Sequence, residues 1–88
     1  MQTRDIEIIN KRGLHARASA KFVRIARQFD CEITVAHKSM TVPATSVMGL
    51  MMLVAGKGST ITLSGQGQDI DAALDALEEL ISSKFDEE

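Results

Sequence analysis

The 88-residue chain has no Trp or Tyr and three Phe, so aromatic side chains make up 3% of it. That scarcity excludes a nucleic-acid surface built by stacking bases on aromatic rings, and it leaves the core to aliphatic side chains. The single cysteine, Cys31, cannot close an internal disulfide, so a reducing, cytosolic setting is expected. One Cys and two His fall short of the four ligands of that kind a structural zinc site takes; no metal and no cofactor are expected. The longest apolar run, residues 47–56, is too short to span a bilayer. The first ten residues lack the charged-then-apolar pattern of an export signal. At this length a single domain over residues 1–88 buries roughly 60–65% of its unfolded surface, enough for one thin core.

Apolar residues, 44% of the chain, are plentiful enough for that core, and five of them are Met. The formal net charge is only −2 but is unevenly spread. Residues 10–29 hold six cations (Lys11, Arg12, Arg17, Lys21, Arg24, Arg27) and no acid, whereas residues 69–88 hold eight acids and Lys84. A basic stretch of this kind steers an anionic ligand or an acidic partner.

Hydropathy alternates over Arg4–Ile9 with Ile6 and Ile8 on one face, over Cys31–Ala36 with Ile33 and Val35 together, and again over Ser59–Ser64; each predicts a strand. Met40–Pro43 completes a hairpin, with Pro43 suited to an edge or an exit. Residues 16–29 predict an Ala-rich helix whose apolar stripe contains Ala20, Val23 and Ala26. Ser46 is placed to cap a short helix running to Leu53, which Gly56 and Gly58 end. Asp69 is placed to cap a final helix with Ile70, Ala73, Leu74, Leu77, Leu80 and Ile81 on its buried stripe. The order β-α-β-β-α-β-α predicts an α+β fold, with helices on one face of an antiparallel sheet.

Of the two histidines, His37 falls in the hairpin turn and reads as an exposed surface residue. His15 stands where the first helix begins, after Gly13-Leu14. A helix start offers unpaired backbone N–H groups and a partial positive charge, so an anion beside His15 finds donors there, supplemented by the Arg17 guanidinium. The same field disfavours imidazolium and leaves a neutral, nucleophilic ring. With no carboxylate near His15 in sequence to serve as a base, phosphoryl transfer fits the pattern better than hydrolysis.

The segment Gly13-Leu14-His15-Ala16-Arg17-Ala18-Ser19 resembles the active-site signature of the HPr phosphocarrier family of the phosphoenolpyruvate-dependent phosphotransferase system. Ser46-Val47-Met48-Gly49-Leu50-Met51 resembles the family's regulatory-serine segment. Lys57-Gly58, the element order and the spacing of the two motifs extend the likeness over essentially the whole chain. The resemblance implies an HPr-like open-faced β-sandwich, a four-stranded antiparallel sheet under three helices. It implies that His15 is phosphorylated by enzyme I, that Arg17 orients the phosphate, and that the group passes to a IIA-type protein. It further implies partner contacts at Arg24, Arg27, Val47, Met48 and Met51, and in some relatives phosphorylation of the residue matching Ser46 by a dedicated serine kinase. The chain is expected to act as a monomer and as a relay rather than a turnover enzyme.

The apolar residues of 47–54 surround a short helix on every side, so a thin core cannot bury them all; an exposed Met surface suits several partners. A phosphate on Ser46 would add negative charge beside that surface and weaken acidic partners. Gly49 stands where a capping box would place Glu. Two further departures from the family are Ala18 in place of a common Pro and Val54 in place of a common Gly. The ending Phe85-Asp86-Glu87-Glu88 resembles the family's nitrogen-regulatory branch. A regulatory binding module, controlled by its phosphorylation state without an essential relay, is the alternative function. Nucleic-acid binding through the basic helix has only its cations in support.

Overall fold

A computed structural model describes residues 1–87. The elements run β1 (Gln2–Glu7), α1 (Ala16–Ala26), β2 (Glu32–His37), β3 (Met40–Pro43), α2 (Val47–Met52), β4 (Thr60–Gln66) and α3 (Ile70–Ser82), with a closing 3₁₀ turn at Lys84–Asp86. The four strands form one antiparallel sheet in the order β1-β4-β2-β3, with Ile6 opposite Ile61, Val35 opposite Leu63 and Val35 opposite Val42. The last strand therefore sits between the first two, and the sheet closes only when β4 arrives. Alternation does what the sequence leads one to expect: Ile6, Ile33, Val35, Val42, Ile61 and Leu63 are buried toward the helices, while Thr3, Asp5, Glu32, Thr34 and Thr41 face outward and are exposed. The expected α+β open-faced sandwich is the architecture observed.

Three local expectations are corrected. The first helix ends at Ala26 rather than at residue 29, and its buried face is Ala18, Ser19, Phe22, Val23 and Ala26; Ala20 is half-exposed. Phe22, fully buried, sets the rotation of the helix, because one ring outweighs a methyl in area removed from water. β1 begins two residues earlier than its pattern suggested and β4 extends to Gln66. Asp69 starts α3 but its side chain caps nothing there. Its Oδ2 instead accepts the Asp30 N–H at 2.8 Å, while the Asp69 N–H donates to the Asp30 carbonyl at 3.1 Å. That reciprocal pair ties the α1–β2 loop to the head of α3.

Across the layers, Arg4 on β1 reaches Asp75 at 2.7 Å and Glu78 at 2.9 Å on α3. Beneath them Leu74, Leu77 and Ile81 from α3 meet Phe22 and Phe85, all at most 1% exposed. No helix among the described residues is long and apolar enough to cross a membrane.

Candidate functional site

The chain reaches the head of α1 through a turn that glycine makes possible. Gly13 has φ +63°, and a Cβ there would lie 2.4 Å from the Ala55 carbonyl oxygen, so any other side chain is both strained and obstructed. The turn is closed by Asn10, which is fully buried. Its carbonyl accepts the Gly13 N–H at 3.2 Å and its Nδ2 donates to the Gly13 carbonyl at 3.0 Å. Leu14 N–H then donates to the Ala55 carbonyl at 3.0 Å, which pins the head of α1 to the exit of α2.

His15 is the N-cap of α1, with φ −78° and ψ −178°. Its Nδ1 accepts the backbone N–H of Arg17 at 3.3 Å, the role an Asn, Asp or Ser oxygen usually takes. A ring nitrogen that accepts carries the lone pair, so the proton of the neutral imidazole belongs to Nε2. Nε2 meets the Glu87 carboxylate Oε2. The other oxygen of that carboxylate, Oε1, accepts from Asn10 Nδ2 at 3.0 Å. A carboxylate does stand at His15, then, although none is near it in sequence. Burial by itself pushes the Glu87 carboxyl up, but hydrogen bonds from Asn10 and His15 and the charges of His15 and Arg17 outweigh it and hold the group below its ordinary value. It is a carboxylate at neutral pH.

Glu87 is delivered by the chain's last turn. Lys84, Phe85 and Asp86 all have positive φ, between 55° and 60°, a left-handed turn that costs roughly 1–2 kcal/mol per residue. Phe85, fully buried, anchors it, and Lys21 Nζ donates to the Phe85 carbonyl at 2.6 Å. Sequence reading missed this strap. Its only signals were one aromatic residue in an otherwise polar ending and an acidic tail matched to a basic stretch.

Two clefts open near the head of α1, the second of them lined by the imidazole itself. One, of about 230 Å³, is lined by Lys11, Arg12, Arg17 and Glu87; its cations make it receptive to an anion. The other, of about 250 Å³, is lined by Arg12, Leu14, His15, Met51, Val54, Ala55 and Gly56. The structure thus brings His15, Arg17 and Met51 to one end of the molecule. Around them Met48 is 69% exposed and Val54 82%, with Met51 and Met52 also exposed, Val47 half-buried, and Leu50 and Leu53 buried. The overfull helix divides as expected, two leucines inward and the methionines outward. Arg24 and Arg27 are exposed farther along α1, about 13 and 18 Å from His15 at the helical rise.

Ser46 caps α2, its Oγ accepting the Gly49 N–H at 2.9 Å. A Cβ on residue 49 would lie 3.0 Å from both Ser46 Oγ and Val42 Cβ, so a larger residue there would have to displace those side chains slightly. His37 is half-buried rather than exposed, its Nδ1 placed 3.3 Å from the Thr60 carbonyl oxygen. Cys31 is half-buried too. Burial, then Asp69 and Asp30, push its thiol up, away from reactivity. Among the described residues no cluster of His, Cys, Asp or Glu is arranged to hold a metal ion.

An open antiparallel sheet carrying a histidine at a helix start, beside a cationic cleft and an exposed methionine surface, defines a class: small α+β proteins whose helix-capping histidine borders a surface receptive to an anionic group. The comparisons narrow it. A family profile described as the PTS HPr component phosphorylation site matches residues 2–83. The phosphocarrier protein NPr of Shewanella violacea is 54% identical over 84 residues, covering 96% of this chain and 92% of that protein. The phosphocarrier protein HPr of Cupriavidus necator is 49% identical over 87 residues, covering 99% and 98%. The crystal structure of HPr from Thermoanaerobacter tengcongensis superposes with a TM-score of 0.95 at 45% identity, covering 100% of this chain and 99% of that one. The chain belongs to the HPr family of phosphotransferase-system phosphocarriers.

Proposed function

We propose that this chain is a histidine phosphocarrier that accepts a phosphoryl group from phosphorylated enzyme I on His15 Nδ1 and passes it to a IIA-type protein. The observation that carries the reading is the placement of the ring: Nδ1 accepts the Arg17 N–H, which favours the lone pair there, and Nε2 faces the Glu87 carboxylate, which favours the proton there. As Nδ1 attacks, the new N–P bond forms and the bond to the donor's leaving nitrogen breaks; no proton has to leave His15. Arg17, at the mouth of the cationic cleft, is placed to meet the phosphoryl oxygens, with the first-turn N–H groups of α1 behind it. In the return step the Nδ1–P bond breaks toward the acceptor and the ring recovers its lone pair.

Val47, Met48 and Met51, with Arg24 and Arg27, form the partner surface in this reading. Ser46, at the head of α2 beside that surface, is the regulatory position for a serine kinase. The likeness to an NPr and to several HPr proteins, all named phosphocarriers, supports the relay; a regulatory output alongside it is part of the same proposal. The test is the intact mass of wild type and His15→Ala after incubation with enzyme I and phosphoenolpyruvate. One acid-labile phosphoryl group on the wild type alone is the expected result; an unlabelled wild type with a competent enzyme I overturns it and leaves a regulatory binding module.

A further inference from the structure

We infer that Met48, Met51 and Met52 form a reversible oxidation site, at which a hydroperoxide converts thioether to sulfoxide and loosens the docking surface of α2. The inference rests on the partner surface proposed above and adds a regulation to it. The chain has five methionines, and all five are exposed, Met48 and Met52 by more than half. The buried cluster is built from Ile, Leu, Val, Ala and Phe, although an unbranched, adaptable side chain such as Met commonly serves as core filler. Three of the five methionines stand on the six residues of α2. Their spacing of three and four puts them on one helical face, and Met51 also lines the cleft that His15 lines. Leu50 and the C-cap Leu53 fill the buried side of α2, and the Ser46 cap holds its start at 2.9 Å.

A thioether needs no deprotonation before it reacts, so exposure governs its oxidation. The sulfur lone pair attacks one peroxide oxygen, the S–O bond forms as the O–O bond breaks, and a proton transfer releases water. The sulfur loses two electrons and the peroxide gains them. Cys31 is the poorer target. It is half-buried, and burial followed by the charges of Asp69 and Asp30 pushes its thiol up, which keeps it from the reactive thiolate. A sulfoxide oxygen binds water that docking has to strip away, so each oxidised methionine opposes burial against a partner. No methionine is buried in the core, so the same event leaves packing intact. His15 and Arg17 are untouched, and phosphoryl transfer proceeds once a partner is bound. A dithiol reductase returns the thioether, forming its own disulfide and water, with one enzyme for each sulfoxide epimer.

The experiment treats three proteins with hydrogen peroxide and then removes it: wild type, Met40→Leu, and a triple variant carrying Met48→Leu, Met51→Leu and Met52→Leu. Peptide mass mapping locates the added oxygen, and thermal unfolding reads the fold. Labelling by phosphorylated enzyme I gives KM and maximal rate for each protein relative to its own untreated form. In wild type and Met40→Leu, oxygen is expected on Met48, Met51 and Met52, with KM raised about fivefold at unchanged maximal rate and melting temperature. The two methionine sulfoxide reductases then restore KM. In the triple variant, treatment leaves KM where it was. Oxygen on Cys31 in place of these methionines, an unchanged KM in fully oxidised wild type, or a triple variant as sensitive as wild type overturns the inference and leaves the relay standing. So does a melting temperature that falls as KM rises. An untreated wild type that takes no label overturns the relay and this inference with it.

Discussion

At the scale of single residues, Val54 is held where its chemistry is least suited. It follows the last residue of α2 and its cap, with φ +52°, at the position where a helix most often ends on a left-handed glycine. A β-branched side chain is strained there, and Val54, 82% exposed, recovers nothing by burial. Val54→Gly is expected to raise stability by about 1 kcal/mol, read as a higher midpoint in urea with an unchanged slope; a lower midpoint would show that the side chain has a packing role. The valine does stand on the rim of the cleft beside His15 and Met51, so the strain sits on the surface proposed for docking. Arg17 presents the reverse balance. Its side chain is exposed, so Arg17→Ala should shift stability by no more than about 0.5 kcal/mol. Loss of a charged donor at the phosphoryl group should slow transfer about a hundredfold. Equal losses in melting temperature and transfer rate would contradict the assignment.

At the scale of elements, α2 shows how a six-residue helix is kept in place by its ends rather than its length. Ser46 satisfies one N–H at its start, Leu50 and Leu53 sink into the core, and the exit is held against Leu14. That leaves the methionines free to form a surface, and Met48, the most exposed of them within the helix, is the place to test it. Met48→Glu should raise the KM for phosphorylated enzyme I several-fold, since a charge is set into an apolar contact, while the maximal transfer rate holds. Unchanged KM would remove Met48 from the docking surface. Much of this was legible in the sequence, because alternation and a surplus of apolar residues on a short helix are local signals. The rotation of α1 was not: Ala16, Ala18, Ala20 and Ala26 lie on several sides, and only the tertiary position of Phe22 decides which are covered. Asp69 misled for a related reason, since an Asp before a helix has two ways to satisfy a backbone N–H and the nearby Asp30 loop supplied the second.

At the scale of the whole molecule, the C-terminal turn returns to the head of α1 at His15. The contact joins residues 72 apart, beyond any periodicity or motif, and it forms because Phe85 is buried in the core with Phe22 and Leu77 and the left-handed turn brings Glu87 back to Asn10. Glu87 thereby links the C-terminal turn to Asn10 and His15, and its titration gives that link a measurable sign. The Glu87 carboxyl is held below its ordinary 4.5 in the folded protein, so folding favours the carboxylate and the unfolded chain binds the proton more readily. The stabilisation is complete above about pH 4.5 and is lost as pH falls through the lower folded value. The difference in unfolding free energy between wild type and Glu87→Gln should therefore be largest at neutral pH and shrink on acidification below about 4.5. A difference that stays constant from pH 7 to pH 3 would mean that the carboxylate's charge contributes nothing to closing the strap, and that buried Phe85 and the Lys21 hydrogen bond to its carbonyl hold the C-terminal turn without it.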